Sequence, residues 1–118
     1  MLSLAPRTRA LLLLLGAIAA EVVATSALKV LSRDRWWPWV LVVGGYGLAF
    51  YLLTLVLQTL PLGVAYAIWS GVGTLFITLV GVWLYHDRLD GPAWVGIALI
   101  VVGVVLVHLF SHSAAGEP

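Results

Sequence analysis

Glu21 is the residue whose surroundings raise a chemical question. From Ala10 to Leu28 there is no other charge, and the apolar run opened by Leu11–Leu15 resumes after the carboxylate at Val22 and closes at Lys29. At about 1.5 Å per residue, roughly twenty such residues cross the hydrocarbon core of a bilayer, which puts Glu21 near mid-membrane. Ionisable groups at that depth are costly and are kept for ion pathways, proton relays or counter-ions. The structural alternative is an ion pair. Its one candidate on the same helix, Lys29, lies eight residues on, roughly 12 Å along the axis, and a lysine there snorkels to the interface. A carboxylate held out of water can carry a proton or a cation, but not comfortably both.

Helical spacing gives Glu21 the face-mates Leu14, Ala17, Ile18, Ala24, Thr25 and Leu28. Ala17 and Ala24 leave room beside the carboxylate, and Thr25 offers a hydroxyl one turn on. Tyr46 and Phe50 are one turn apart, and Tyr66, Trp69 and Gly73 share a helix face. Trp69 stands deeper in its span than an interfacial tryptophan. Aromatic faces around a carboxylate suit a lipophilic organic cation, through cation–π contact and stacking; the same spacing also serves plain helix packing. Gly71 and Gly73 interrupt an apolar run where a bend can develop. Gly96 and Gly103, seven apart, form a small-residue face on which another helix backbone can pack closely. His86, His108 and His112 fall at or beyond span ends and read as interfacial. No nucleophile–base pair, phosphate loop or metal motif is present and the chain lacks cysteine. The expectation is therefore a non-enzyme without cofactor or metal.

The elements that must hold these residues follow from composition. Of 118 residues, 63% are hydrophobic and 9% charged, with mean hydropathy +1.11, too little charge to cover a soluble domain. The reading is an all-α integral membrane protein in one domain, 1–118, an up-down bundle of four transmembrane helices over about 10–31, 39–60, 62–85 and 92–110. The turns are marked by Ser32–Arg35, Pro61 and His86–Gly91, and Trp36, Trp37, Trp39, Trp83, Tyr85 and Trp94 form interfacial belts. The tail Ser111–Pro118 is expected to fray. Arg7 and Arg9 before Ala10–Ala20 resemble a secretory leader, but the apolar run continues to Val30, which argues against cleavage. With a net charge of +1 and no basic cluster, nucleic acid is not an expected partner. Arg7 and Arg9 lie on one side, and Lys29, Arg33, Arg35 and Arg88 on the other, offset by Asp34, Asp87 and Asp90. That weak bias makes insertion both ways round plausible.

Ala20–Glu21–Val22 with Lys29 eight residues on, and the run Leu60-Pro61-Leu62-Gly63-Val64-Ala65-Tyr66-Ala67-Ile68-Trp69-Ser70-Gly71-Val72-Gly73, resemble the small multidrug resistance family of proton-coupled transporters over about Gly16–Phe110. The resemblance implies an antiparallel homodimer of the bacterial plasma membrane in which Glu21 of each subunit binds protons and substrate competitively. It implies that Tyr46, Phe50, Tyr66 and Trp69 line the substrate chamber, with Thr25, Ala17 and Ile18 of the glutamate face expected as further substrate-binding residues, that Gly71, Val72 and Gly73 form the bend for alternating access, and that Gly96 and Gly103 form the dimer face. Guanidinium exporters of this family typically carry tryptophan three residues after the glutamate, threonine after Ala-Ile-Trp and lysine late in the fourth helix. Ala24, Ser70 and His108 stand at those places, so the chain looks like the exporters of quaternary ammonium and polyaromatic cations. It departs from the best-known pattern in its longer, Arg-bearing N-terminus and in Thr54. The expected mechanism is antiport: protons displace the cation from Glu21, and their loss to the cytoplasm readies the carboxylates for another, held between Trp69 and Tyr66. The rivals are a guanidinium or polyamine exporter, alone or with a paralogous partner, and a non-transporting membrane subunit using its glycine faces for assembly.

Overall fold

The computed structural model describes residues 5–110, with the side chain of Phe110 excepted. The tail 111–118, with His112, lies outside the described residues. Four helices follow one another: α1 Pro6–Leu28, α2 Trp37–Val56, α3 Leu62–Trp83 and α4 Gly91–Phe110. Each is long and apolar enough to cross a membrane, and no strand occurs among the described residues.

The helix ends explain where the observed bounds differ from hydropathy. Pro6 opens α1, because a first-turn residue has no use for an amide hydrogen; the helix therefore begins four residues before the apolar run. At its other end the amides of Lys29, Val30 and Leu31 bond three residues back, to Ser26, Ala27 and Leu28. The apolar run to Leu31 thus closes in tight turns instead of α-helix. Pro38 in the first turn of α2 likewise draws the start back to Trp37. After Val56 the amides of Leu57 and Leu60 still bond to Leu53 and Val56, a short cap that leads to Pro61, whose extended backbone (φ −58°, ψ 146°) precedes α3. Asp90 starts α4: its carboxylate accepts the Ala93 amide at 3.0 Å, satisfying one of the orphan donors of the first turn.

The packing is not a ring of four sequential neighbours. α1 packs mainly on α2 and also on α3, α4 lies along α3, and the backbones of the consecutive helices α2 and α3 barely meet. The α1–α2 seam is made of small residues. A side chain at Gly45 would fall 2.8 Å from both the Ala20 carbonyl oxygen and the Ala24 Cβ. Close approach of backbones replaces the hydrophobic effect, which is lost where the surroundings are as apolar as the side chains. The hydrophobic cluster gathers toward one end, from Ala10, Leu14 and Ile18 of α1, Val56 at the end of α2 and Leu60 beyond it, and Val64, Ala65 and Ile68 of α3. Above it α2 and α3 stand apart with α1 behind them. α4 buries none of its described residues, and Trp36 and Trp83, 76% and 75% exposed, flank helix ends as belt residues do.

Candidate functional site

The gap between α2 and α3 is the candidate site. It is a cavity of about 360 Å³, with Glu21 contributed by α1, Tyr46, Phe50 and Leu53 by α2, and Tyr66, Trp69, Ser70, Gly73, Thr74 and Ile77 by α3. Glu21 is partly buried, and its Oε1 accepts a hydrogen bond from Thr25 Oγ1 at 2.7 Å. Thr25 has one hydrogen to give. With that hydrogen on the carboxylate, the 2.7 Å contact between Thr25 Oγ1 and the Tyr46 hydroxyl has tyrosine as donor. Tyr46 therefore orients Thr25, and Thr25 supports the anionic form of Glu21. Hydrogen bonds to an ionised group are about twice as strong as neutral ones.

Rings form the wall beside this relay. Tyr46 and Phe50 stack with centroids 6.4 Å apart and planes at 22°, and Phe50 meets Trp69 across the α2–α3 gap at 6.0 Å. The indole lies back along its own helix, where a Cβ on Gly73 would stand 3.4 Å from Trp69 Cδ1. Tyr66 lines the same cavity with 65% of its surface exposed.

The structure thus brings Glu21, Thr25, Tyr46, Phe50, Tyr66 and Trp69 together. Ala17 and Ile18, placed on the glutamate face by spacing, are fully buried. Ile18 joins the hydrophobic cluster and borders an apolar cleft away from the cavity, with Phe76 and Trp83. Ala24 likewise abuts Gly45, so its small size admits α2. Gly71, Val72 and Gly73 lie within an unbroken α3; Gly71 is buried, and a methyl there would run into the Val104 side chain of α4. Among the described residues nothing stands within 4 Å of a side chain built at Gly96 or Gly103, so they leave this seam of α4 open.

Sequence reasoning missed Ser70, Thr74, Ile77 and Leu53. Steps of three and four from Tyr66 reach 70, 73, 74 and 77, so the signal for the α3 residues was present. Lys29 also has a partner that spacing along α1 does not reveal: its Nζ is 3.8 Å from Asp87 Oδ1 and 5.5 Å over the Tyr85 ring. His108, at the end of α4, receives two contacts from Arg7 of α1, at its Nδ1 (3.3 Å) and its carbonyl oxygen (3.0 Å). No cluster of three or more metal-binding side chains occurs among the described residues.

Comparison with known proteins gives the same neighbourhood from several directions. A family model described as Small Multidrug Resistance protein matches residues 9–100. A multidrug transporter of Pseudomonas aeruginosa is 52% identical, covering 83% of this chain and 90% of its own. The quaternary ammonium compound-resistance protein QacE of Escherichia coli is 49% identical over 88% of this chain and 96% of its own. The multidrug transporter EmrE of Escherichia coli K12 is 43% identical over 83% and 90%.

Proposed function

We propose that this chain, which belongs to the small multidrug resistance family and to its multidrug and quaternary-ammonium branch, is a proton-coupled antiporter that exports lipophilic organic cations. It is a multi-pass protein of the bacterial inner membrane, in a family of transporters, not of enzymes. One observation carries the proposal: a membrane-embedded carboxylate, supported by Thr25 and Tyr46, faces a cavity walled by Phe50 and Trp69.

The coupling follows from occupancy of one group by two ligands. Anionic Glu21 attracts a cation, and the aromatic faces add cation–π attraction and apolar contact that no proton can use. Protonated Glu21 has no charge to offer, so each ligand lowers the affinity for the other by the same factor. The cavity is open toward the side left free between α2 and α3, which supports a second copy completing the chamber; the open glycine seam at Gly96 and Gly103 is the dimer face in this reading. The pair is antiparallel, in keeping with the weak charge bias of the loops. Gly71, Val72 and Gly73 are the hinge on which α3 bends between inward-open and outward-open forms, and Ala17 and Ile18 back the carboxylate one turn below it.

The Ser70 and Thr74 hydroxyls in the cavity favour a second reading, a guanidinium or polyamine exporter, since such a substrate needs hydrogen-bond acceptors. The ring wall from Tyr46 to Trp69 favours bulky cations, which gain from stacking what they lack in hydrogen bonds.

Binding of tetraphenylphosphonium to the reconstituted protein across pH tests the proposal. Affinity rises with pH through the titration of Glu21, by up to about tenfold per unit for each proton displaced, then levels off; Glu21→Gln abolishes it. Binding that persists in the Gln variant sinks the competition model. Absence of binding by the wild type, with proton release on adding guanidinium or a polyamine, establishes the second reading.

A further inference from the structure

A second, smaller cavity adjoins the first and leads toward the membrane surface. It measures about 120 Å³ and is lined by Thr25, Ser26 and Lys29 of α1 and its end, Ile77, Val80 and Gly81 of α3, and Tyr85 and Asp87 of the following loop. Ile77 lines both cavities. Thr25 joins them chemically, because its hydroxyl holds Glu21 while its side chain borders the smaller space. That hydroxyl gives its hydrogen to Glu21 and accepts from Tyr46, which leaves one lone pair for a further donor. Among the described residues Ser26 Oγ is buried with no hydrogen-bond partner, and a buried hydroxyl left so beside a pocket that Thr25, Lys29 and Asp87 also line is one that ordered water can satisfy. At about 30 Å³ per molecule the pocket has room for a short water chain.

The mouth is built with some care. Tyr85 donates its hydroxyl hydrogen to the Ser26 carbonyl oxygen at 2.6 Å, tying the end of α3 to α1. His86 takes a left-handed backbone (φ 60°), uncommon for a residue other than glycine, and the chain turns back so that the Asp87 amide bonds to the Gly81 carbonyl at 2.9 Å. A side chain at Gly81 would meet Asp87 Oδ2 at 2.6 Å, so only glycine leaves room for the carboxylate there. The charge facing this carboxylate is Lys29 at 3.8 Å, in a pair 58% and 45% exposed, and the titratable groups next to it along the loop are His86 and Arg88. A pair so exposed adds little stability.

We infer that this pocket is a proton route between Glu21 and the surface at the Lys29 end of α1, with Asp87 as the collecting carboxylate and the hydroxyls of Ser26 and Thr25 as stations. The inference rests on the reading that Glu21 exchanges protons. Inward, a proton taken from bulk water by Asp87 passes through pocket water to Ser26 and Thr25. Each hydroxyl releases its own hydrogen as it accepts the next, and Thr25 delivers to Glu21 Oε1. Outward release runs the same steps in reverse, and every group but Glu21 ends with the protons it began with.

Stopped-flow detection of the protons released when tetraphenylphosphonium is added, beside equilibrium binding of the same cation, tests the route in the full-length protein. Ser26→Ala, Asp87→Asn and Gly81→Ala, the last by displacing Asp87, are expected to slow release by about tenfold or more, the scale on which a positioned proton-transfer group acts. Their cation affinity stays at the wild-type value, and Asp87→Glu restores much of the rate. Wild-type rates in Ser26→Ala and Asp87→Asn overturn the route, as does an affinity that falls together with the rate, since the pair then serves the cation site or the fold. Wild-type binding with no proton release overturns the proton-coupled reading itself and the route with it. The intact reading with a failed route is recognised by normal proton release in every variant.

Discussion

At the scale of single residues, Glu21 is defined by the two hydroxyls arranged behind it. Thr25 donates directly to the carboxylate, and Tyr46 acts one step removed by holding Thr25. Hydrogen bonds to charged groups contribute about 1.5–3 kcal/mol and neutral ones about 1 kcal/mol. Thr25→Val therefore weakens tetraphenylphosphonium binding by about tenfold or more on the rising limb of the pH profile, where the proton still competes, and leaves the high-pH plateau in place, whereas Tyr46→Phe weakens it several-fold at most. Titration calorimetry of both variants checks the order, and a larger loss in Tyr46→Phe would show that the tyrosine contacts the cation itself. Spacing along α1 picked out Thr25 correctly as a neighbour of Glu21, but the tie to Tyr46 joins two helices and was beyond its reach.

At the scale of elements, α4 is held to α3 where Gly71 admits Val104, with Ile100 one turn away at 3.6 Å from the same point. Overfilled contacts of this kind cost about 1–3 kcal/mol. Gly71→Ala is expected to lower the stability of the detergent-solubilised protein by that order, and Val104→Ala in the same chain to restore most of it, a coupling that a double-mutant cycle reads directly. Thermal unfolding of the four chains suffices. Additive losses would mean that α4 moves freely and that Gly71 serves only the bending of α3. The four spans themselves were legible from hydropathy because a bilayer demands long apolar helices. Their ends were less so, since Pro6 and Pro38 begin helices earlier than the apolar runs suggest.

For the whole molecule, the decisive feature is that α2 and α3 stand apart and leave a chamber with one side open. The uncovered Gly96–Gly103 seam lies beside the α3 contact and supports a second copy docking through α4. Replacing both glycines with leucine is expected to abolish the dimer on cross-linking in membranes and to remove cation binding, with the helix content unchanged. A dimer that survives would move the interface to another face. In an antiparallel pair the two Asp87 mouths open to opposite sides of the membrane, so the proton route and the dimer proposal together give each Glu21 its own side of access.

By itself the sequence determined that the chain lives in a bilayer, that it crosses four times, and that one carboxylate lies deep within the first apolar span. These are properties of composition and of periods along a single helix, and no tertiary contact can reverse them. Tertiary structure alone decided which faces meet. Ala17, Ile18 and Ala24 share a face with Glu21 by spacing, yet Ile18 joins the core cluster and Ala24 receives α2, because the neighbouring helix claims that side. Lys29 and Asp87 are remote along the chain and meet only because the loop after α3 folds back at His86. Spacing orders residues around one axis; the distance between axes is set by packing, and there the sites that join two helices are made.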